Sequence, residues 1–169
     1  EEHWKELSRF VRYLKKHQKD IRITYRKPKD LRVGSGVDSN YAHNKDDRKS
    51  VSGALHTLGG ILVYWLSKTQ ATASLSGTES EYISLASGSA EVKFLQMLLN
   101  EIIFCKLPGF ILEDNTGAIY LVKNQAVGQR TKHIDVRWHF IRDLQEKGEI
   151  KITYVKSENN DADINTKNT

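Results

Sequence analysis

The chain has 169 residues, of which 38% are hydrophobic and 28% charged, and its formal net charge is +5 with a pI near 9.2. This length allows one domain with a substantial core and leaves little room for two, and the composition excludes an extensively disordered protein. The single cysteine, Cys105, excludes an internal disulfide, and no apolar run approaches the roughly 18 residues that a membrane-spanning helix needs.

The first thirty residues combine a predicted helix with many basic side chains. Apolar residues recur at helical spacing over residues 4–16, and alternation predicts a short strand over residues 21–25. Pro28 then interrupts the pattern. Because the chain begins with charged residues and no Met, we expect a segment of a longer protein. We predict a leading segment at residues 1–30 and the main domain at residues 31–169, and the basic balance favours a polyanionic partner.

The main domain opens with strand-like runs. Gly59 and Gly60 join two of these runs and predict a tight hairpin turn. The first run is interrupted by glycines, and a polar loop separates it from the second. From this stretch we expect a meander of three antiparallel strands. The runs cover residues 31–38, 51–58, 61–67 and 72–75.

The second half of the sequence alternates helices and strands. Gly148 follows one predicted helix at the position where a left-handed residue commonly ends helices. A hairpin-rich start followed by strand-helix-strand crossovers predicts an α/β fold, with helices packed on a mixed sheet. The predicted helices cover residues 78–102, 116–123 and 132–147, the strands cover residues 107–112 and 150–155, and a short final helix contains Asp163.

Glu81 admits two interpretations. Thr78 and Glu81 have the spacing of a capping box, in which both side chains accept hydrogen bonds from backbone N–H groups of the first helical turn. The helix macrodipole also favours a carboxylate there. Alternatively, Glu81 belongs to a functional group of acids with Asp38, Asp114 and Asp163, most of which lie near an end of a predicted strand or helix. Such ends can bring side chains from a sheet to one common site.

Several motifs occur in order along nearly the whole chain: DDRKSVSG (46–53), LSGTESEY (75–82), EDN (113–115), RTKHIDVR (130–137) and ADI (162–164). Together they resemble the ribonuclease H domain of copia-type LTR retrotransposon polyproteins. The leading motifs EHW (2–4) and VRYLK (11–15) resemble the segment that connects reverse transcriptase to that domain. The resemblance implies a ribonuclease H fold, with a five-stranded mixed sheet surrounded by helices.

The resemblance also implies a catalytic site. The catalytic acids of the family fall on Asp38, Glu81, Asp114 and Asp163, which would bind two Mg²⁺ ions, with Mn²⁺ as a substitute. Asp38 would bridge both ions, Glu81 and Asp114 would complete one site, and Asp163 the other. Close carboxylates repel one another unless a cation lies between them. Two ions can activate a water on one side of a phosphodiester and stabilise the leaving oxygen on the other.

The implied reaction is endonucleolytic hydrolysis of the RNA strand of an RNA–DNA hybrid, leaving 3′-hydroxyl and 5′-phosphate ends. The implied partners are the hybrid and the reverse transcriptase domain of the same polyprotein, with no membrane. The implied location is the cytoplasm, within virus-like particles. Basic and polar side chains would contact the sugar-phosphate backbone in a sequence-independent way. The candidates for these contacts are Arg48, Lys49, Asn115, Arg130 and Lys132.

Two alternatives stay open. The first is a catalytically silent ribonuclease H-like connection module that binds the hybrid for the polymerase, and the second is a transposase or integrase with the same fold. Three departures from the family pattern bear on this choice. Asn40 stands where a second Asp is frequent. Asn165 replaces an expected Leu and should loosen the turn that carries Asp163. The loop at residues 156–161 contains no His, whereas cellular members of the family carry one there.

Overall fold

The computed structural model describes residues 2–20, 22, 24–28, 30–124 and 132–167, with the backbone alone for residues 132–135 and 138. Four α-helices and five β-strands are present within these residues, followed by two short 3₁₀ helices. The helices are α1 (Glu2–His17), α2 (Gly77–Ile103), α3 (Thr116–Lys123) and α4 (Lys132–Glu146). The strands are β1 (Val33–Asn40), β2 (Val51–Leu58), β3 (Ile61–Thr69), β4 (Gly109–Glu113) and β5 (Ile150–Tyr154), and the 3₁₀ helices cover Ser157–Asn159 and Asp161–Asn165.

The five strands form one mixed sheet in the order β3-β2-β1-β4-β5. The β1–β2 and β2–β3 pairs are antiparallel, as hairpin connections require. The β1–β4 and β4–β5 pairs are parallel, because a helical crossover returns the chain to the same end of the sheet each time. The predicted α/β class and the five-stranded mixed sheet are therefore confirmed.

The core lies between the sheet and α2. Val33 and Val37 of β1, Leu85 and Val92 of α2, and Ile111 of β4 are all fully buried there. Burial of each such side chain stabilises the fold by about 1.5–3 kcal/mol. The N-terminal half of α2 contains most of the buried residues of this helix, so this half packs firmly against β1 and β2.

Two strand predictions are wrong. Residues 72–75 lie in the loop between β3 and α2, where Ser74 turns its hydroxyl inward to donate to Gln70 Oε1 at 2.8 Å. Residues 22, 24 and 25 lie in no strand. Alternation predicts which face of a segment is apolar, but a strand also needs a partner for its backbone, and neither segment has one among the described residues. The left-handed backbone predicted at Gly148 is confirmed, with φ of 67°.

Two parts of the surface are unusually apolar. No residue of α1 is buried, and Trp4 is 71% exposed. The outermost strand β3 also exposes large side chains, including Trp65 at 60%.

No helix among the described residues combines the length and apolar composition that a membrane crossing demands. The predicted division of the chain into a leading segment, residues 1–30, and a main domain, residues 31–169, stays a prediction.

Candidate metal centre

Three carboxylates from different elements meet at one end of the sheet. Asp38 lies in β1, Glu81 in the first turns of α2, and Asp114 directly after β4, and one carboxylate oxygen of each lies within 4.8 Å of the other two. Asp38 is 6% exposed and Glu81 9%, whereas Asp114 is half-buried. The parallel pairing of β1 and β4 brings Asp38 and Asp114 to the same edge. Three of the four predicted acids are therefore assembled into one cluster.

The capping interpretation of Glu81 is wrong. The N-cap of α2 is Ser76, whose hydroxyl oxygen accepts from the backbone N–H of Glu79 at 3.1 Å. Glu79 in turn accepts from the backbone N–H of Leu75 at 2.9 Å. The cap therefore belongs to Ser76, two residues earlier than the sequence predicts, and Glu79 reaches back one residue beyond it to Leu75. Glu81 has no part in it, and its carboxylate is available to the cluster.

The electrostatics of the cluster favour a cation. Burial raises the pKa of Glu81 to about 8, and the nearby charge of Asp38 adds to the shift. Burial also raises the pKa of Asp38, reinforced by Asp114 and Asp163 and opposed by a hydrogen bond from Thr166. Ionising all three acids together is therefore costly unless a positive charge lies between them. Carboxylate oxygens are the ligands that Mg²⁺ and Mn²⁺ prefer, so the donor set fits a divalent metal ion.

Glu113 is a buried acid next to the cluster, and the sequence analysis missed its role. Its side chain is fully buried, and Oε1 accepts from the backbone N–H of Asn115 at 3.0 Å. Burial raises its pKa well above the usual range, followed by the charge of Glu81. The alternating burial of β4 places Glu113 on the same face as Ile111, but Phe110, Ile111 and Leu112 are all apolar, so no alternation in the sequence marks Glu113 as buried. Glu113 thus supports the turn that presents Asp114.

Asp163 lies beside the cluster and is not one of its three members. It sits in the 3₁₀ helix Asp161–Asn165, and its two carboxylate oxygens lie 2.5 and 2.6 Å from Nζ of Lys167. Its charge still raises the pKa of Asp38, so the two carboxylates interact electrostatically. In this structure Asp163 is paired with Lys167, and its role in a second cation site stays a prediction.

Asparagine side chains hold the turn that carries Asp163. Asn165 Nδ2 donates to the backbone oxygen of Ala54 in β2 at 3.0 Å, and Asn160 Nδ2 donates to that of Val37 in β1 at 2.8 Å. The turn also packs closely over Gly53, where an added Cβ would lie 3.0 Å from Asn165 Cβ. Asn165 thus forms a hydrogen bond in place of the expected apolar contact, and its effect on the firmness of the turn stays a prediction.

Asn40 joins the end of β1 to the same C-terminal turn. Its Nδ2 donates to the backbone oxygen of Thr166 at 3.0 Å and lies 3.0 Å from Nδ1 of His43. Thr166 in turn donates its hydroxyl proton to Oδ2 of Asp38. Asn40 is therefore part of the support of the cluster.

The candidate nucleic-acid contacts differ in their surroundings. Asn115 caps α3, since its Oδ1 accepts from the backbone N–H of Ala118 at 3.0 Å. Lys49 forms an ion pair with Asp47 at 3.0 Å. Arg48 is exposed in the same loop. These three residues lie on loops at the end of the sheet where the acids meet, and their role in binding stays a prediction.

The other two candidates for nucleic-acid contacts are Arg130 and Lys132. Arg130 lies outside the described residues, and Lys132 begins α4 with its backbone alone described. Their role in binding also stays a prediction.

The sequence is similar to segments of retrotransposon polyproteins. It is 35% identical over 168 residues to the retrovirus-related Pol polyprotein from transposon RE2 of Arabidopsis thaliana, covering 99% of this chain and 12% of that protein. It is 34% identical over 166 residues to the corresponding polyprotein from transposon TNT 1-94 of Nicotiana tabacum, covering 98% of this chain and 12% of that protein. No protein-family model matches the chain. The chain thus spans about an eighth of the length of each of these two polyproteins.

Solved structures with a similar fold include RNase H domains. LC11-RNase H1 superposes with a TM-score of 0.59 at 12% identity, covering 80% of this chain and 92% of that one. The N-terminal RNase H domain of a Mycobacterium tuberculosis protein gives the same TM-score and identity, over 81% of this chain and 91% of that one. LC11-RNase H1 in complex with an RNA/DNA hybrid gives 0.55 at 13% identity, over 79% of this chain and 92% of that one. At these identities, the likeness establishes the fold.

Proposed function

Because this chain is a homologue of one segment of the retrotransposon Pol polyproteins and has the ribonuclease H fold, we propose that it is a metal-dependent nuclease that hydrolyses the RNA strand of RNA–DNA hybrids. The observation that carries the proposal is the meeting of Asp38, Glu81 and Asp114 within 4.8 Å. A purely structural module has no need to bury carboxylates that repel one another. We place the reaction in reverse transcription of a retrotransposon, beside the reverse transcriptase of the same polyprotein.

The acids are assigned the following roles. Asp38, Glu81 and Asp114 would hold one Mg²⁺ or Mn²⁺ ion, and Asp163 with Asp38 would hold a second. When bound, the ions supply activation of a water and stabilisation of the leaving oxygen of the phosphodiester. Burial raises the pKa of Glu81 to about 8, so a cation held by this carboxylate would compete with its proton.

Thr166 and Glu113 position the acids. The hydrogen bond from Thr166 holds one carboxylate oxygen of Asp38, and the bond between Glu113 and the backbone of Asn115 fixes the turn at Asp114. Both supports come from outside the cluster and need no metal to form. They therefore reduce the reorganisation that the acids require at the moment of reaction.

The proposed substrate fits the charge of the chain. A net charge of +5 favours a polyanion, and a solved neighbour, LC11-RNase H1, is known in complex with an RNA/DNA hybrid. Contacts to phosphates and to the RNA 2′-hydroxyls would give sequence-independent binding that weakens with salt. We assign these contacts to Arg48, Lys49, Asn115, Arg130 and Lys132.

The test is cleavage of a labelled RNA strand in an RNA–DNA hybrid, with Mg²⁺, with Mn²⁺ and with EDTA. We expect metal-dependent cleavage, and a loss of at least about 10³-fold, or 4 kcal/mol of barrier, in Asp38→Asn, Glu81→Gln and Asp114→Asn. Asp143→Asn is the matched control, because Asp143 forms an exposed ion pair with Lys147 on α4. A wild-type chain that binds hybrid tightly but never cuts it would instead indicate a non-catalytic hybrid-binding module.

A further inference from the structure

Two serines adjoin the acids of the cluster and touch each other. Ser39 follows Asp38 in β1, Ser80 precedes Glu81 in α2, and their Oγ atoms lie 2.7 Å apart. This hydrogen bond links the residue after Asp38 to the residue before Glu81 without involving a metal. It joins the strand and the helix at the point where each presents a carboxylate.

The geometry of Ser80 is fixed from within the helix. Its side chain is fully buried, and its hydroxyl donates to the backbone oxygen of Gly77 at 2.8 Å. The Ser80 oxygen is thereby left to accept a hydrogen bond from the Ser39 hydroxyl. The backbone N–H of Ser39 also stabilises the charged form of the Glu81 carboxylate. Ser39 therefore contacts both the partner serine and the acid that it helps to place.

A buried glutamine secures the same turn of α2 from the other side. Gln70 is 5% exposed, and its Nε2 donates to the backbone oxygen of Ser80 and to Oγ of Ser52, each at 3.0 Å. Ser84, one turn further along α2, donates to the same Ser52 oxygen at 2.7 Å. Buried polar networks whose members are satisfied impose a specific arrangement on the elements that they join.

We propose that Ser39 and Ser80 are positioning residues that set the separation of Asp38 and Glu81 before any cation binds. The inference rests on the proposed function of the acids. The acids repel each other when ionised, and a neutral hydroxyl pair holds their backbones together without adding charge. Small displacements of reacting groups cost large factors in rate, so a fixed separation favours both metal binding and turnover.

The experiment compares Ser39→Ala, Ser80→Ala and the double variant with the wild-type chain. We expect either single change to lower kcat for hybrid cleavage about tenfold with KM changed less than about twofold. We also expect the affinity for Mn²⁺, titrated calorimetrically into the substrate-free protein, to fall about fivefold or more. Because both changes remove one shared interaction, the double variant should be no worse than the more severe single variant.

Ser89→Ala is the matched control, since Ser89 is also fully buried in α2 but donates to Leu85 of its own helix. It should cost comparable thermal stability and leave kcat and Mn²⁺ affinity unchanged. Ser39→Thr keeps the hydroxyl and should restore both. If the alanine variants bind Mn²⁺ and turn over like Ser89→Ala, the positioning role is refuted. If the wild type cuts no hybrid but the alanine variants still lose Mn²⁺ affinity, the nuclease proposal fails while the positioning of a metal site stands.

Discussion

The hydroxyl of Thr166 donates a hydrogen bond to Oδ2 of Asp38, so the C-terminal turn closes on the first strand at the acidic cluster. Thr166 is itself 4% exposed, and its backbone oxygen accepts from Asn40 at 3.0 Å. The bond favours the charged form of Asp38 and opposes the effect of burial on its pKa. The position of the turn is therefore coupled to the ionisation of the cluster.

Gly53→Ala should displace this turn. A Cβ at Gly53 would overlap Cγ2 of Thr166 and would lie 3.0 Å from the backbone oxygen of Ala162, which cannot move freely. We expect a loss of about 1–3 kcal/mol in the free energy of unfolding, measured with urea. We also expect the rate of hybrid cleavage to fall by more than the loss of folded protein accounts for. Gly77→Ala is the control, because nothing lies within 4 Å of its added Cβ. Equal stability of Gly53→Ala and the wild type would contradict the close packing of the turn.

Glu81→Gln should stabilise the metal-free protein at high pH. Because the pKa of Glu81 rises from 4.5 in the unfolded chain to about 8, the folded state binds the extra proton, and this stabilisation is lost as the pH rises from about 4.5 to 8. Gln cannot ionise, so we expect the variant to exceed the wild type by on the order of 3 kcal/mol at pH 8 in EDTA. Urea unfolding across this pH range is the measurement. Glu101→Gln, at an exposed position of the same helix, should show no such gain.

Divalent cations should stabilise the folded chain. A cation that binds only the folded state at 100 times its Kd adds about 2.7 kcal/mol, which for a chain of this size raises Tm by about 5–10 °C. We expect Mg²⁺ or Mn²⁺ to give this shift in the wild type and no shift in Asp38→Asn. An equal shift in both proteins would show that the cation binds elsewhere.

Acid should destabilise the protein through His56. This side chain is fully buried in β2, stacks on Tyr64 with ring centroids 5.4 Å apart, and has no hydrogen-bond partner for either ring nitrogen among the described residues. Burial lowers its pKa from 6.5 to about 4, so the unfolded chain binds the proton first and stability falls as the pH drops from 6.5 towards 4.

The His56→Phe variant keeps an aromatic ring in the core and removes the ionisation. We expect it to lose about 2–3 kcal/mol less stability than the wild type between pH 7 and pH 4.5, measured by urea unfolding. His3→Phe, at an exposed position of α1, is the control. If acid destabilises His56→Phe as strongly as the wild type, His56 is not the responsible group.

Local patterns predicted most elements of the fold. The bounds of β2 and α3 match those observed, because their apolar spacing and flanking turn residues agree with the final packing. The segment at residues 72–75 has the alternation of a strand, but Ser74 satisfies Gln70 instead of extending the sheet. Alternation describes one segment, whereas strand pairing depends on a second one that is distant in sequence.

The cluster was predicted only in part. Family motifs pointed to Asp38, Glu81 and Asp114, which the fold brings together. Two supporting features were missed, because a buried Glu113 and a buried Ser80 look in the sequence like ordinary polar residues beside more prominent ones. Their roles depend on which neighbours the sheet supplies, and that information is absent from the local sequence.

The crossover from β1 to β4 has a consequence for how the protein is made. These strands are neighbours in the sheet, although β2, β3 and α2 lie between them in the chain. During synthesis the hairpins of β1, β2 and β3 can form while β4 is still inside the ribosome, but Asp114 joins Asp38 only after the crossover closes. Closing so long a loop is a late and slow event in folding. A divalent ion can therefore bind and stabilise chains that have completed folding. It cannot bind at this site in a nascent chain, because the site is not yet assembled.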